Sequence, residues 1–335
     1  MTLADDFIDY ISSVKRYSER TRDIYRDVLD DFVGYAFEGV IPSDEELKEA
    51  LTTQIIRGYE VYLMDERKMK AKTVCQHLSA LSSFSRYLIL RGEISSNPVS
   101  AVKRPKVPKR LPEFFRKDAM DKYFEQSERY ASEEYLYEMA SDAFPGCLEK
   151  NKGLKDLYEK RLARAIISTL YSTGMRRSEL IGLDIKSFDE SRKIISVRGK
   201  GDKMREIPVI DALCKELLLY LESVRRMVQA ERGGGDAFFV TAKGARLYPE
   251  YVERVVKSEL SAFKDIKGRK SPHVLRHSLA TELLDEGTDM YSIKELLGHS
   301  SLAATQVYTH ASVEQLKKIY QTAHPRAQKG GKYGD

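Results

Sequence analysis

In the N-terminal part of the chain, apolar side chains return every three or four positions. Tyr25, Leu29, Phe32 and Tyr35 form one series, and Leu78, Leu81, Phe84 and Leu88 another. That spacing lines one face of an α-helix, and no strand-like alternation competes with it. Residues 1–96 are therefore expected to fold as a small helical bundle. Ser18, three positions before Thr21, marks a helix start, and Thr73 stands where the second long helix should open.

The pattern then breaks. Pro98, Pro105, Pro108 and Pro112 crowd one short stretch, and proline both removes a backbone donor and disfavours helix at the residue before it. Residues 97–112 are predicted to be a linker. Beyond it the pattern is mixed. Ala163, Ile166, Ile167 and Leu170 make a helical stripe that stops at Gly174. Residues 192–209 are two short β-branched runs around a Gly-Lys-Gly-Asp-Lys tip, a hairpin signature. Ala237 to Val240 reads as a third strand or its start, the stretch 127–158 as an extra surface helix, and the chain from Tyr251 onward as helix again. The expected fold class is mainly α with a small antiparallel β-sheet, with 113–335 forming the second domain.

Composition bounds the function. At 335 residues, with 42% hydrophobic and 32% charged residues, 10 Pro and 20 Gly, the chain has the make-up of a globular protein. No stretch approaches the ~18 uncharged apolar residues of a membrane span, and Asp5 and Asp6 stand where a signal peptide would be basic. Cys75, Cys147 and Cys214 are far apart and share no CxxC spacing, which fits a reducing cytoplasm better than a disulfide framework or a structural zinc.

The net charge of +5 permits a polyanionic partner without identifying one. Its distribution says more. Residues 103–110, KRPKVPKR, gather Lys103, Arg104, Lys106, Lys109 and Arg110 with no acid. Such a run suits either a solvated hinge or a segment lying along a phosphate backbone.

Four of the six histidines, His273, His277, His299 and His310, fall in 38 residues. Imidazoles clustered in this way serve metal ligation or proton transfer, and the absence of an HExxH pair makes metal the weaker of the two. Among them, His273 and Arg276 stand at i,i+3; Arg176 and Glu179 repeat that spacing just after Gly174. A guanidinium grips two phosphate oxygens at once, and a carboxylate one turn away can hold it in orientation. Local spacing does not show whether residues 176 and 276 meet.

Four dispersed segments, TGMRRSELIGL at 173–183, GKGDKMREIPV at 199–209, HVLRHSLATELLDEGTDMYSIKELLGHSSLAATQVYTH at 273–310 and AHPRA at 323–327, resemble the tyrosine recombinases of the phage integrase family. The ending resembles the Xer branch. The resemblance implies a helical, SAM-like core-binding domain and a catalytic domain that close as a C-shaped clamp on duplex DNA. By the same resemblance Arg176 and Arg276 hold the scissile phosphate, Glu179 supports the first of them, Lys200 is the proton donor, His273 and His299 complete the set, and Tyr308 is the nucleophile. Arg177 stands where the family usually carries an apolar or small residue.

The implied reaction is site-specific cleavage and religation of DNA through a 3′-phosphotyrosine, with no cofactor, metal or ATP. The implied partners are a double-stranded recombination site and either a homotetramer or a heterotetramer with a second recombinase, assembled through a C-terminal docking tail. The implied setting is the nucleoid in the cytoplasm, with chromosome dimer resolution at a dif-type site. The alternative is an integrase of a phage or conjugative element. A non-catalytic DNA-binding regulator on the same fold would not need the complete residue set.

Overall fold

The computed structural model describes residues 2–108, 113–135, 144–199, 204–228, 235–298 and Arg326. The chain divides into two compact units, Met1–Arg110 and Leu111–Asp335.

The first unit contains α1 (Leu3–Ser13), α2 (Glu19–Ala36), α3 (Asp44–Ala50), α4 (Thr53–Val61) and α5 (Ala71–Leu90). Its helices start where side-chain oxygens can take orphan N–H groups: Thr2, Ser18, Ser43 and Thr52 each accept from the backbone three residues on. Ser18 caps α2 as expected. Helix α5 opens at Ala71, two residues before Thr73, without a side-chain cap. The stripe Leu78, Leu81, Phe84 and Leu88 is fully buried and packs with Phe7, Phe32 and Tyr59 into one core. Each such side chain contributes about 1.5–3 kcal/mol of burial. Val99 and Val102 belong to that core too, and Pro98 and Ala101 carbonyls accept from Thr53 and Arg57, so the start of the proline-rich stretch packs within this unit.

The second unit is built on α6 (Lys117–Gln126) and the long α7 (Lys152–Thr173), followed by α8 (Arg177–Ile181), β1 (Phe188–Asp189), β2 (Ile194–Arg198), β3 (Met204–Pro208), α9 (Asp211–Met227), α10 (Pro249–Ser261), α11 (Pro272–Asp285) and α12 (Met290–Leu297). The sheet is antiparallel in the order β1-β2-β3, with Ile195 opposite Ile207 and Val197 opposite Arg205. From Arg161 to Thr173 every residue of α7 is buried, so this helix is the axis of the core rather than a surface element.

Two expectations are corrected. The third strand is Phe188–Asp189, before the hairpin; Ala237 and Val240 make only isolated bridges, to Asp184 and Arg246, because residues 237–240 are buried within the core instead of on a sheet edge. Among its described residues, the stretch 127–158 is not a separate surface helix, and 152–158 are the start of α7. Its described residues include 3-10 turns at Glu128–Ala131 and Cys147–Glu149, and Tyr135, Cys147, Leu148 and Tyr158 are buried.

Candidate active site

The site begins where α7 ends. Gly174 closes the helix in the left-handed region, φ 60°, and its N–H reaches Leu170 O at 3.0 Å. A Cβ there would lie 2.5 Å from Leu297 Cδ2 and 3.0 Å from Leu279 Cδ2. Glycine thus lets the ends of α7 and α12 and the middle of α11 close on one another. Two residues later Arg176 caps α8, its backbone N–H donating to Glu179 Oε2 at 2.7 Å. The same carboxylate accepts from Arg176 Nη1 at 2.8 Å. The i,i+3 pair read from sequence is therefore an oriented one.

Arg276 comes from α11 and is 4% exposed. Its Nη1 donates to Gly174 O and its Nη2 to Leu297 O, both at 2.6 Å. Arg176 Nη2 donates to Gly298 O at 2.8 Å, and Arg205, from β3, donates Nε to Leu296 O at 3.3 Å. Three successive carbonyls at the C-terminus of α12 thus each meet a different arginine. A helix end leaves these acceptors without intrahelical partners and carries partial negative charge, so cations gather there favourably. The residues separated by a century of sequence meet at this helix end.

The cost is repulsion among the cations. Burial, then Arg176 and Arg205, push Arg276 down to about 10, while Glu179 acts the other way. It stays charged at neutral pH. Glu179 is raised by burial, but Arg205 and Arg176 outweigh this and leave it below the usual carboxylate range. His273, in the first turn of α11, is lowered by burial, then by His277, Arg276, Arg176 and Arg269. Its ring lies 5.4 Å from that of His277. A neutral imidazole close to two guanidiniums is equipped to receive a proton.

Arg176, Glu179, His273 and Arg276 are therefore brought together. Lys200, His299 and Tyr308 lie outside the described residues, as do Lys109 and Arg110. Lys103, Arg104 and Lys106 are exposed in the first unit, where Arg104 Nη1 donates to Ser79 Oγ at 2.8 Å. Arg177 pairs with Glu253 at 2.8 Å, which ties α8 to α10.

Two groups escaped the sequence reading. Arg205 sits on the inward face of β3 with Ile207; a charge at an inward position of an alternating strand was the available signal. The other is a buried pocket on α6, α7 and α9. There Glu216 Oε1 accepts from Arg164 Nη2 at 2.8 Å and Arg326 Nη2 at 2.5 Å. Arg326 Nη1 also reaches Ser168 and, at 3.2 Å, Ser172, and its guanidinium lies 4.0 Å from the Phe124 ring centroid. Burial raises Glu216, but Arg326 and Arg164 more than reverse it and hold the carboxyl at about 2. A glutamate inside the apolar stripe Leu213, Leu217 and Tyr220 was the signal here.

A SAM-like helical unit, a mixed unit built on a buried helix, and arginines converging beside a histidine define a class. The chain belongs to the phage integrase family: the family's sequence pattern matches residues 154–315, and that of the phage integrase N-terminal SAM-like domain matches residues 4–92. It is 31% identical over 328 residues to the tyrosine recombinase XerC of Chlorobaculum parvum, covering 96% of this chain and 94% of that protein. To XerC of Bacillus pumilus it is 33% identical over 325 residues, covering 96% and 95%. The fold is shared with the XerH site-specific recombinase bound to palindromic difH substrate (TM-score 0.61, 18% identity, 98% of this chain and 84% of that one). It is shared also with lambda integrase(75–356) bound as a dimer to a COC′ core site (TM-score 0.58, 19% identity, 91% and 97%). The chain is thus a Xer-like site-specific tyrosine recombinase, whose activity is DNA cleavage and religation. Among the described residues, no helix is long and apolar enough to cross a membrane.

Proposed function

We propose that this recombinase resolves chromosome dimers at a dif-type site in the nucleoid, acting as a tetramer, either of one species or of two, on paired duplex sites. Residues 1–96 serve as the core-binding domain. Residues 97–112, with Lys103, Arg104, Lys106, Lys109 and Arg110, lie along the phosphate backbone, and residues 113–335 carry the chemistry. Likeness to XerC over nearly the whole chain supports the chromosomal setting, and neighbours of like fold were solved on their DNA sites.

In the reaction, Arg176 and Arg276 neutralise the non-bridging oxygens of the scissile phosphate, joined by His299. Tyr308 Oη attacks phosphorus and passes its proton toward His273, whose neutral form suits it as the base. The bond from phosphorus to the 5′-oxygen breaks, and Lys200 Nζ supplies the proton that oxygen needs. The product is a 3′-phosphotyrosine and a free 5′-hydroxyl. Attack by a 5′-hydroxyl from another strand reverses the step and exchanges the strands. In the assembled tetramer the C-terminal tail docks on a neighbouring copy.

The observation that carries this reading is the convergence of Arg176 and Arg276 on Gly298 and Leu297, directly before His299. The test is Tyr308→Phe, which removes one hydroxyl. On a nicked suicide substrate the wild type should form a covalent protein–DNA adduct stable to denaturation, and the variant should bind the DNA but form none. An adduct with Tyr308→Phe would overturn the assignment of the nucleophile.

A further inference from the structure

Arg205 is 7% exposed. Taking a guanidinium out of water costs several kcal/mol unless its donors are matched, and here they are matched in an unusual way. Nη1 and Nη2 donate to the two oxygens of Glu179 at 2.7 and 2.9 Å, an end-on fork. Nε turns the other way, to Leu296 O. The backbone of Gly298 rests against the same side chain: a Cβ at 298 would lie 3.1 Å from both Nε and Nη1.

One side chain therefore joins three segments. It belongs to β3, the strand that leaves the Lys200 tip. Through Glu179 it reaches Arg176, because Glu179 Oε1 accepts from both Arg176 Nη1 and Arg205 Nη1. Through Leu296 O and the contact at Gly298 it holds the end of α12, the residues that lead into His299. Its side chain is buried and each of its three nitrogens donates within the protein.

We propose that Arg205 is a positioning residue of the cleavage reaction, which fixes the Arg176 guanidinium through Glu179 while pinning the C-terminus of α12. Without it, Glu179 keeps one cation instead of two and swings with Arg176, so the guanidinium meets the scissile phosphate with its direction unset. A misplacement of about 1 Å in such a group costs roughly 10²-fold in rate. A lysine would retain the charge but lack the fork and the Nε contact.

The proposal rests on the reading of Arg176 as a phosphate ligand, and its experiment separates the two. Arg205→Met and Arg205→Lys are assayed on two nicked suicide substrates. One carries the natural phosphodiester at the cleavage position, the other a methylphosphonate, in which a methyl group replaces a non-bridging oxygen and removes the negative charge that a guanidinium must meet. Each rate is read as a ratio to wild type on the same DNA.

With phosphodiester, cleavage should fall about 10²-fold for Arg205→Met and about 10-fold for Arg205→Lys, with DNA affinity within about threefold. With methylphosphonate the defects should shrink to about threefold. Arg205→Met added to Arg176→Ala should cost little beyond Arg176→Ala alone, since both act through one group. Equal defects on the two substrates, or additive losses, would make Arg205 a support of the fold only, and unchanged cleavage would remove it from the reaction. If Arg205→Met does not fold, the methylphosphonate ratio of Arg205→Lys decides. Failure of Arg176→Ala itself to slow phosphodiester cleavage would overturn the phosphate reading, whatever Arg205 does.

Discussion

Replacing Arg326 by methionine keeps most of its volume and removes its charge from the Glu216 pocket. Glu216 titrates at about 2 in the folded chain against an ordinary 4.5. At about 1.4 kcal/mol per pKa unit the carboxylate's surroundings contribute about 3 kcal/mol at neutral pH. Because the folded value is depressed, that stability is present above about pH 4.5 and is lost as pH falls toward 2. Arg164 remains as a partner at 2.8 Å, so Arg326→Met forfeits a share of it, together with two serine contacts and the stacking on Phe124. The total is about 2 kcal/mol, taking roughly 1 from linkage and roughly 1 from stacking and hydrogen bonds. For a unit of this size that lowers Tm by roughly 4–8 °C. Thermal melts followed by circular dichroism between pH 3 and 8 read it directly. The gap between wild type and Arg326→Met should be full at neutral pH and narrow on acidification, since the variant's Glu216 takes up its proton first and thereby recovers ground. A gap that does not change with pH would show that Arg326 does not act through Glu216.

Two further outcomes concern the candidate active site. Gly174→Ala places a Cβ 2.5 Å from Leu297 Cδ2 at a left-handed φ; strain of about 1 kcal/mol and overpacking of about 1–3 kcal/mol should lower the denaturation midpoint. An unchanged midpoint would refute the close approach of α7 and α12. Lys200→Ala should be severely slow on ordinary DNA but largely rescued when sulfur replaces the leaving 5′-oxygen, because a thiolate departs without a proton; equal defects on both substrates would make Lys200 a phosphate ligand instead of the acid.

How far the sequence carries depends on the range of the interaction. The α5 stripe and the Ser18 cap are local, and spacing alone finds them. So are the Arg176–Glu179 and His273–Arg276 pairs. The end of α7 is legible only in part: Gly174 marks the stop, but a helix buried on every side from Arg161 to Thr173 has no polar face to give its orientation. The run 237–240 is as apolar as a strand, yet its backbone finds only isolated bridges, a pairing that no local pattern encodes. Arg205 and Glu216 are the instructive misses. Each is a charge on an inward face, and whether such a residue is stranded or functional depends on a counterion that is distant in sequence: Glu179 for one, Arg164 and Arg326 for the other.

The gathering of Arg176, Arg205 and Arg276 near a single carboxylate also bears on the protein's stability. Three cations face one anion in largely water-excluded surroundings, and the carbonyl dipoles at the end of α12 offset the difference only in part. On the proposed reading, a phosphodiester bound there would offset this repulsion, and any group that binds only the folded form stabilises it by mass action. A copy held on its DNA site would then unfold less readily than a free one.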